Sequence, residues 1–199
     1  ARFVDNKIFY EKKVGMRKKK LVGYIGRFSY EKGVMNFVES IPLVLKKMGK
    51  IFFLIKGEGP LFYEINKKLM PYSDNIIKPI EWISIKQVSH YLNMLNLLVL
   101  PSYFEGLPTI IIEAMACGTP VLVTSVGGVP DLIKDGETGF IMENNSSKRI
   151  ANDIIRVLDH PKLKEITNNA RKMIKHEYSY DAAVERYRQI LRNVLGEMS

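Results

Sequence analysis

The sequence predicts a doubly wound α/β fold: a Rossmann-like parallel sheet of about six strands with helices on both faces. Short apolar runs of strand length recur along the 199 residues, and the segments between them repeat their apolar residues at helical spacing. Strands separated by helices imply βαβ units with right-handed crossovers. The composition, 46% hydrophobic and 26% charged, is that of a globular chain and excludes wholesale disorder. Apolar runs such as Leu97 to Leu100 are far too short to span a bilayer. A single cysteine, Cys117, excludes a disulfide framework and a thiolate-rich metal site, and His90, His160 and His176 are widely scattered.

Each element has its own signal. Leu21–Gly26 reads as a buried strand. The helix expected from Lys32 to Met48 carries Val34, Phe37, Val38, Ile41, Val44 and Leu45 on one stripe. Ile51–Gly57 is the second strand, and Pro60 is expected at the first position of a helix reaching Met70. Ile76–Ile83 is a third extended segment interrupted by Pro79. Ser84 suits an N-cap for a helix to Leu95. Leu97–Pro101 is the fourth strand, followed by a helix from Pro108 to Ala116 that Gly118 stops. Pro120–Thr124 and Thr138–Met142 supply two more strands around a Gly-Gly turn and a short helix. Ser146 or Ser147 caps a helix to Leu158, Pro161 starts another, and a last helix runs from about Asp181 to Leu195.

Thirty basic against 21 acidic residues give a net charge of +9, which suits an anionic partner: nucleic acid, a phosphate-bearing small molecule or an anionic membrane surface. Lys12, Lys13, Arg17, Lys18, Lys19 and Lys20 crowd the N-terminal segment, and Arg171, Lys172, Lys175, Arg186, Arg188 and Arg192 decorate the last helices. The plainer reading of both clusters is solvated charge. Most of the aromatic residues lie within apolar strands and helices away from the basic clusters, so nucleic acid is not an expected partner.

Ligands of such sheets bind beyond the carboxyl ends of the strands, which directs attention to three loops. In Gly26-Arg27-Phe28-Ser29-Tyr30-Glu31-Lys32-Gly33, two cations straddle a strand-to-helix turn whose amides favour an anion. Arg27 can grip phosphate oxygens in a bidentate way and Lys32 can add a point charge, although a solvated turn with surface cations fits the same residues. Gly57-Glu58-Gly59-Pro60 either lets backbone approach a ligand closely or makes a tight turn. The third loop, Pro101 to Thr109, leads into a helix bearing Glu113. Glu105 before the helix and Glu113 within it can border one cleft, at about 1.5 Å rise per residue. Carboxylates there can accept hydrogen bonds from sugar hydroxyls, and Glu113, set among Ile110, Ile111, Ile112, Ala114, Met115 and Ala116, calls for a polar partner.

At these residues the sequence resembles the retaining glycosyltransferases of family 4, the group 1 transferases with the two-domain GT-B fold. The resemblance runs through Val4-Asp5 with Phe9, Gly26-Arg27 with Lys32-Gly33, Gly57 to Pro60, Ser102 to Pro108, Glu113 to Val121, Gly127 to Pro130 and Asp135 to Gly139. It implies one nucleotide-sugar-binding domain over residues 1–199, with 1–20 as an entrance segment and basic linker. It also implies that 178–199 form a C-terminal crossover helix and that the N-terminal, acceptor-binding domain is absent. The start at Ala1 instead of a methionine agrees with a fragment.

By the same resemblance, Arg27, Lys32 and Glu105 carry catalysis: the two cations hold the donor diphosphate and Glu105 binds donor sugar hydroxyls. Glu113 binds the ribose hydroxyls. Gly26, Gly57, Gly59, Gly106, Leu107, Thr109 and Ile110 complete the donor site, and Glu81, Trp82 and Ile83 flank the nucleobase. Transfer in the family retains anomeric configuration and uses neither metal nor cofactor, and no Asp-x-Asp motif occurs in this sequence. The expected location is the cytoplasm, with the enzyme peripheral at the membrane face if the basic runs meet anionic lipid. Two positions depart from the family pattern: Glu81 stands where glycine is usual beside the base, and Asp131 stands where glutamate is usual. A GT-B relative with epimerase or phosphorylase chemistry is the alternative, and the Glu105/Glu113 pattern speaks against an epimerase.

Overall fold

A computed structural model describes residues 3–12, 20–77 and 84–196. Its sheet has six parallel strands in the order β3-β2-β1-β4-β5-β6: β1 Lys20–Ile25, β2 Ile51–Lys56, β3 Ile76–Ile77, β4 Leu97–Leu100, β5 Val121–Thr124 and β6 Phe140–Met142. Strand order reverses between β1 and β4, the switch point at which ligands of doubly wound sheets bind. Every residue of β4 and β5 is buried, as expected of strands covered on both faces.

The helices among the described residues are α1 Val34–Lys47, α2 Phe62–Leu69, α3 Ile85–Met94, α4 Thr109–Ala116, α5 Val129–Leu132, α6 Ser147–Leu158, α7 Leu163–Glu177 and α8 Tyr180–Gly196. Of the expected stripe, helix α1 buries Val34, Phe37, Val38, Ile41 and Val44, and Leu45 is half-buried against the core. Phe37 is fully buried against Tyr24 of β1 and Phe53 of β2. Ser84 caps α3 in a reciprocal box with Gln87, and Ser146 caps α6. Buried Asp153 of α6 is held by Arg149 at 2.7 Å and Arg156 at 2.9 Å. The entrance segment 3–12 is tied down at both ends. The Val4 amide donates to the Tyr178 carbonyl (2.8 Å), Ser89 of α3 donates to the Ile8 carbonyl (2.6 Å), and Phe9 is buried.

Four boundaries differ from expectation. Lys32 ends a 3₁₀ turn, Tyr30–Lys32, and α1 begins only after Gly33, whose left-handed φ of 63° interrupts the helix. Pro60 lies in a turn closed by the Phe62 amide on the Gly59 carbonyl (3.1 Å), so α2 starts two residues later. Pro161 likewise lies within a turn, closed by the Leu163 amide on the His160 carbonyl (3.1 Å), and α7 starts at Leu163. Of the third extended segment, Ile76–Ile77 forms β3, and positions 78–83 lie outside the described residues.

Candidate functional site

A cleft of about 600 Å³ opens over the switch point. It is walled by the turn after β1, the turn after β4, the start of α4 and Val88 of α3. Of the expected site residues it brings together Gly26, Arg27, Lys32, Glu105, Gly106, Leu107, Thr109, Ile110 and Glu113. The two carboxylates, eight positions apart in sequence, therefore border one cleft. Glu81, Trp82 and Ile83 lie outside the described residues.

Gly57 and Gly59 do not line the cleft. Their close backbone approach is to the chain itself. A Cβ on Gly57, at φ +152°, would meet the Gly26 carbonyl oxygen at 1.8 Å, and one on Gly59, at φ +147°, would meet the Phe28 oxygen at 2.5 Å. The Phe28 amide donates to the Glu58 carbonyl (2.7 Å). This turn braces the loop that carries Arg27.

Lys32 and Glu105 meet across the switch point, Nζ to Oε2, at 2.8 Å. Glu105's other oxygen accepts from Ser102 Oγ at 2.7 Å, and its side chain is only 9% exposed. Behind it, Thr124 of β5 donates to the Ser102 carbonyl. The Gly128 amide donates to the Gly106 carbonyl at 2.7 Å. Gly127, at φ +57°, packs so closely on the Glu105 carbonyl that a Cβ would fall 1.8 Å from it. The two turns are also pinned to each other, the Tyr103 amide donating to the Glu31 carbonyl at 2.8 Å. Asn36 of α1 donates to Tyr103 Oη and to the Asn145 carbonyl.

Arg27 is exposed, and its carbonyl is fixed by Tyr24 Oη at 2.7 Å. Burial, with the charges of Glu105 and Glu31, drives the Tyr24 phenol far above its usual range, so it stays a donor. Glu113, set in the wall of α4 among Ile111, Ile112, Ala114 and Met115, has its carboxyl pushed up to about 7 by burial. The arrangement offers an anion two cations and the free amides at the start of α4, and offers hydroxyl donors two carboxylates. Sequence reading missed Tyr24 and Asn36. Tyr24 had one signal: a phenol inside an otherwise apolar strand needs a partner.

Comparison with known proteins agrees with this architecture. A family model described as "Glycosyl transferases group 1" matches residues 6–173. The chain is 30% identical over 181 residues to the capsular polysaccharide biosynthesis glycosyltransferase CapM of Staphylococcus aureus, covering 89% of this chain and 47% of CapM. It is 29% identical to the alpha-D-kanosaminyltransferase of Streptomyces kanamyceticus, covering 90% of this chain and 47% of that one. The chain thus spans about half the length of the curated relatives it matches. Among solved structures, it resembles the C-terminal domain of the glycosyl transferase group 1 family protein LpcC of Francisella tularensis. That match has a TM-score of 0.79 at 25% identity, covering 89% of this chain and 99% of that one. It also resembles an S. aureus TarM variant crystallised with fondaparinux, alpha-GlcNAc-glycerol and UDP. Here the TM-score is 0.78 at 27% identity, covering 94% of this chain and 38% of that one.

Proposed function

The chain belongs to the group 1 glycosyl transferases, and on that premise we propose that it is the donor half of a retaining transferase using a nucleoside-diphosphate sugar. The observation that carries this reading is the meeting of Arg27, Lys32, Glu105 and Glu113 around one cleft at the switch point. The similarity to TarM, whose crystal contained UDP, supports a nucleotide donor.

The roles follow from charge and position. Arg27 and Lys32 take the diphosphate, and the amides from Gly106 to Ile110 at the start of α4 add their dipoles. As the bond from the anomeric carbon to the leaving oxygen breaks, negative charge grows on the diphosphate, and these groups stabilise it. That work needs no metal in this proposal. Glu105 receives the sugar hydroxyls, its orientation set by Lys32 and Ser102. Glu113, embedded in the wall of α4, receives the ribose hydroxyls, which stabilise its ionised form.

An acceptor and the residues that bind it belong to a further domain in this reading, so the chain alone binds donor and transfers no sugar. The basic run from Lys12 to Lys20 would add an anionic lipid surface as a partner of the whole enzyme. Among the described residues no helix is long and apolar enough to cross a membrane. The deciding experiment is a thermal-shift screen of nucleoside diphosphates and their sugar conjugates, since a bound ligand stabilises by mass action. A rise in Tm with a nucleoside diphosphate is expected. No shift with any of them, or sugar transfer by this chain alone, overturns the proposal.

A further inference from the structure

Away from the cleft, the entrance segment and α7 enclose a hollow of about 500 Å³. Tyr10 and Glu11 line it from the entrance segment, Arg171, Lys172 and Lys175 from α7, and Ala116 from the end of α4. Glu11 pairs with Arg171. Lys172 and Lys175 are exposed and have no ion pair among the described residues. Lys12, also exposed, adds a fourth cation, its Nζ 4.9 Å from the centroid of the Tyr10 ring. One carboxylate is thus set against four cations, and positions 13–19, which follow directly in sequence, contain no acidic residue.

This arrangement is unfavourable for α7 taken alone. Lys175 lies four positions from Arg171 and three from Lys172, so like charges are neighbours on one side of the helix. Of the three, Lys175 falls in the last turn, where the helix dipole favours a cation. An anion outside the helix relieves the repulsion. Lys12, Lys172 and Lys175 stand on an open rim, in water. A small soluble anion gains little from such screened charges taken singly, whereas an anionic bilayer surface engages all of them together. Tyr10, 48% exposed, joins an apolar ring to a polar tip, which suits the level of lipid headgroups. Its ring already carries the Lys12 ammonium and is not a free stacking face for a base.

We propose that Lys12, Arg171, Lys172 and Lys175, grouped around Tyr10, form a surface that docks the chain on an anionic lipid bilayer. This rests on the lipid partner suggested above for the basic run and extends the contact to α7. It does not depend on the nucleotide reading. Docking there leaves the cleft open. Thr109 meets the cleft at the start of α4 and Ala116 meets the hollow at its end, about 10 Å along the helix axis.

Co-sedimentation with vesicles tests this, using phosphatidylcholine alone and phosphatidylcholine mixed with phosphatidylglycerol. The wild type is expected on the anionic vesicles only, with binding that weakens as salt rises. Lys172→Glu/Lys175→Glu should bind them at least about twentyfold more weakly, and Lys172→Gln/Lys175→Gln about fivefold or more. The glutamine pair separates the lost contact from any effect of the new charges on folding. As a control, Lys86→Glu/Lys148→Glu makes the same change in net charge at exposed positions in the first turns of α3 and α6. It should lose no more than about threefold, since charges beyond the Debye length are screened. Equal losses in the control and in the α7 reversal overturn the proposal and leave a lipid partner that reads net charge alone. Equal binding of the wild type to both kinds of vesicle, or to neither, overturns the lipid partner as well. Binding of an oligonucleotide that the α7 reversal abolishes, with no binding of anionic vesicles, assigns the surface to nucleic acid and likewise overturns the proposal.

Discussion

The ammonium of Lys32 and the carboxylate of Glu105 meet at 2.8 Å, joining the turn after β1 to the turn after β4 across the switch point. This carboxylate neutralises the cation that the proposed function gives to phosphate. Glu105→Ala should therefore leave nucleoside-diphosphate affinity unchanged or slightly higher while weakening the sugar conjugate. Glu113→Ala should weaken both by about 1–3 kcal/mol, the range for hydrogen bonds to a charged group. Calorimetry with both ligands on both variants checks the division. The same ligand profile for the two variants would show that the roles are not divided this way.

Arg27 is exposed, unlike the half-buried Lys32, so salt should screen its contact with phosphate readily. Arg27→Ala should weaken the diphosphate and its sugar conjugate alike. The loss should shrink between low and high salt, and titrations at two ionic strengths measure it.

Glu113 gives the fold a pH dependence. Its carboxyl titrates near 7 when folded and near its ordinary 4.5 when unfolded, because burial disfavours the charge. Between these values the folded state holds the extra proton, so this group makes stability fall as pH rises through the window. The amplitude is at most about 3 kcal/mol. Glu113→Gln should match the wild-type Tm near pH 4.5 and exceed it at pH 8, as differential scanning calorimetry can determine.

Gly57 tolerates no side chain, since a Cβ would sit 1.8 Å from the Gly26 carbonyl oxygen at a φ of +152°. Gly57→Ala should cost at least about 2 kcal/mol in urea denaturation. Because the 57–59 turn braces the loop of Arg27, diphosphate affinity should fall in the variant that remains folded.

Helix α8 turns Ile190, Leu191 and Val194 to solvent, each at least half exposed, and buries Ala183. Its amides should exchange much faster than those of β1 and β4, with α7 between. Hydrogen exchange followed by mass spectrometry resolves the three elements. Protection of α8 equal to that of the strands in a strict monomer would contradict this.

The sequence by itself determined the alternation of strands and helices, because side-chain periodicity is a local property of the chain. It also determined the cap at Ser84, narrowed that of α6 to Ser146 or Ser147, and gave the identity of the cations and carboxylates in the strand-end loops. Gly57 and Gly59 were legible as a turn, yet what their backbone approaches is the Gly26–Phe28 segment, a neighbour supplied by strand pairing. The start of α1 was misjudged because Gly33 adopts a left-handed φ beside Pro101, which is distant in sequence. Only the tertiary structure decided that Lys32 pairs with Glu105, 73 positions away, and that Lys56 is buried against Tyr91. Both contacts arise because strand order reverses between β1 and β4, bringing chain ends from separate βαβ units over one edge of the sheet. A linear pattern carries no term for that distance.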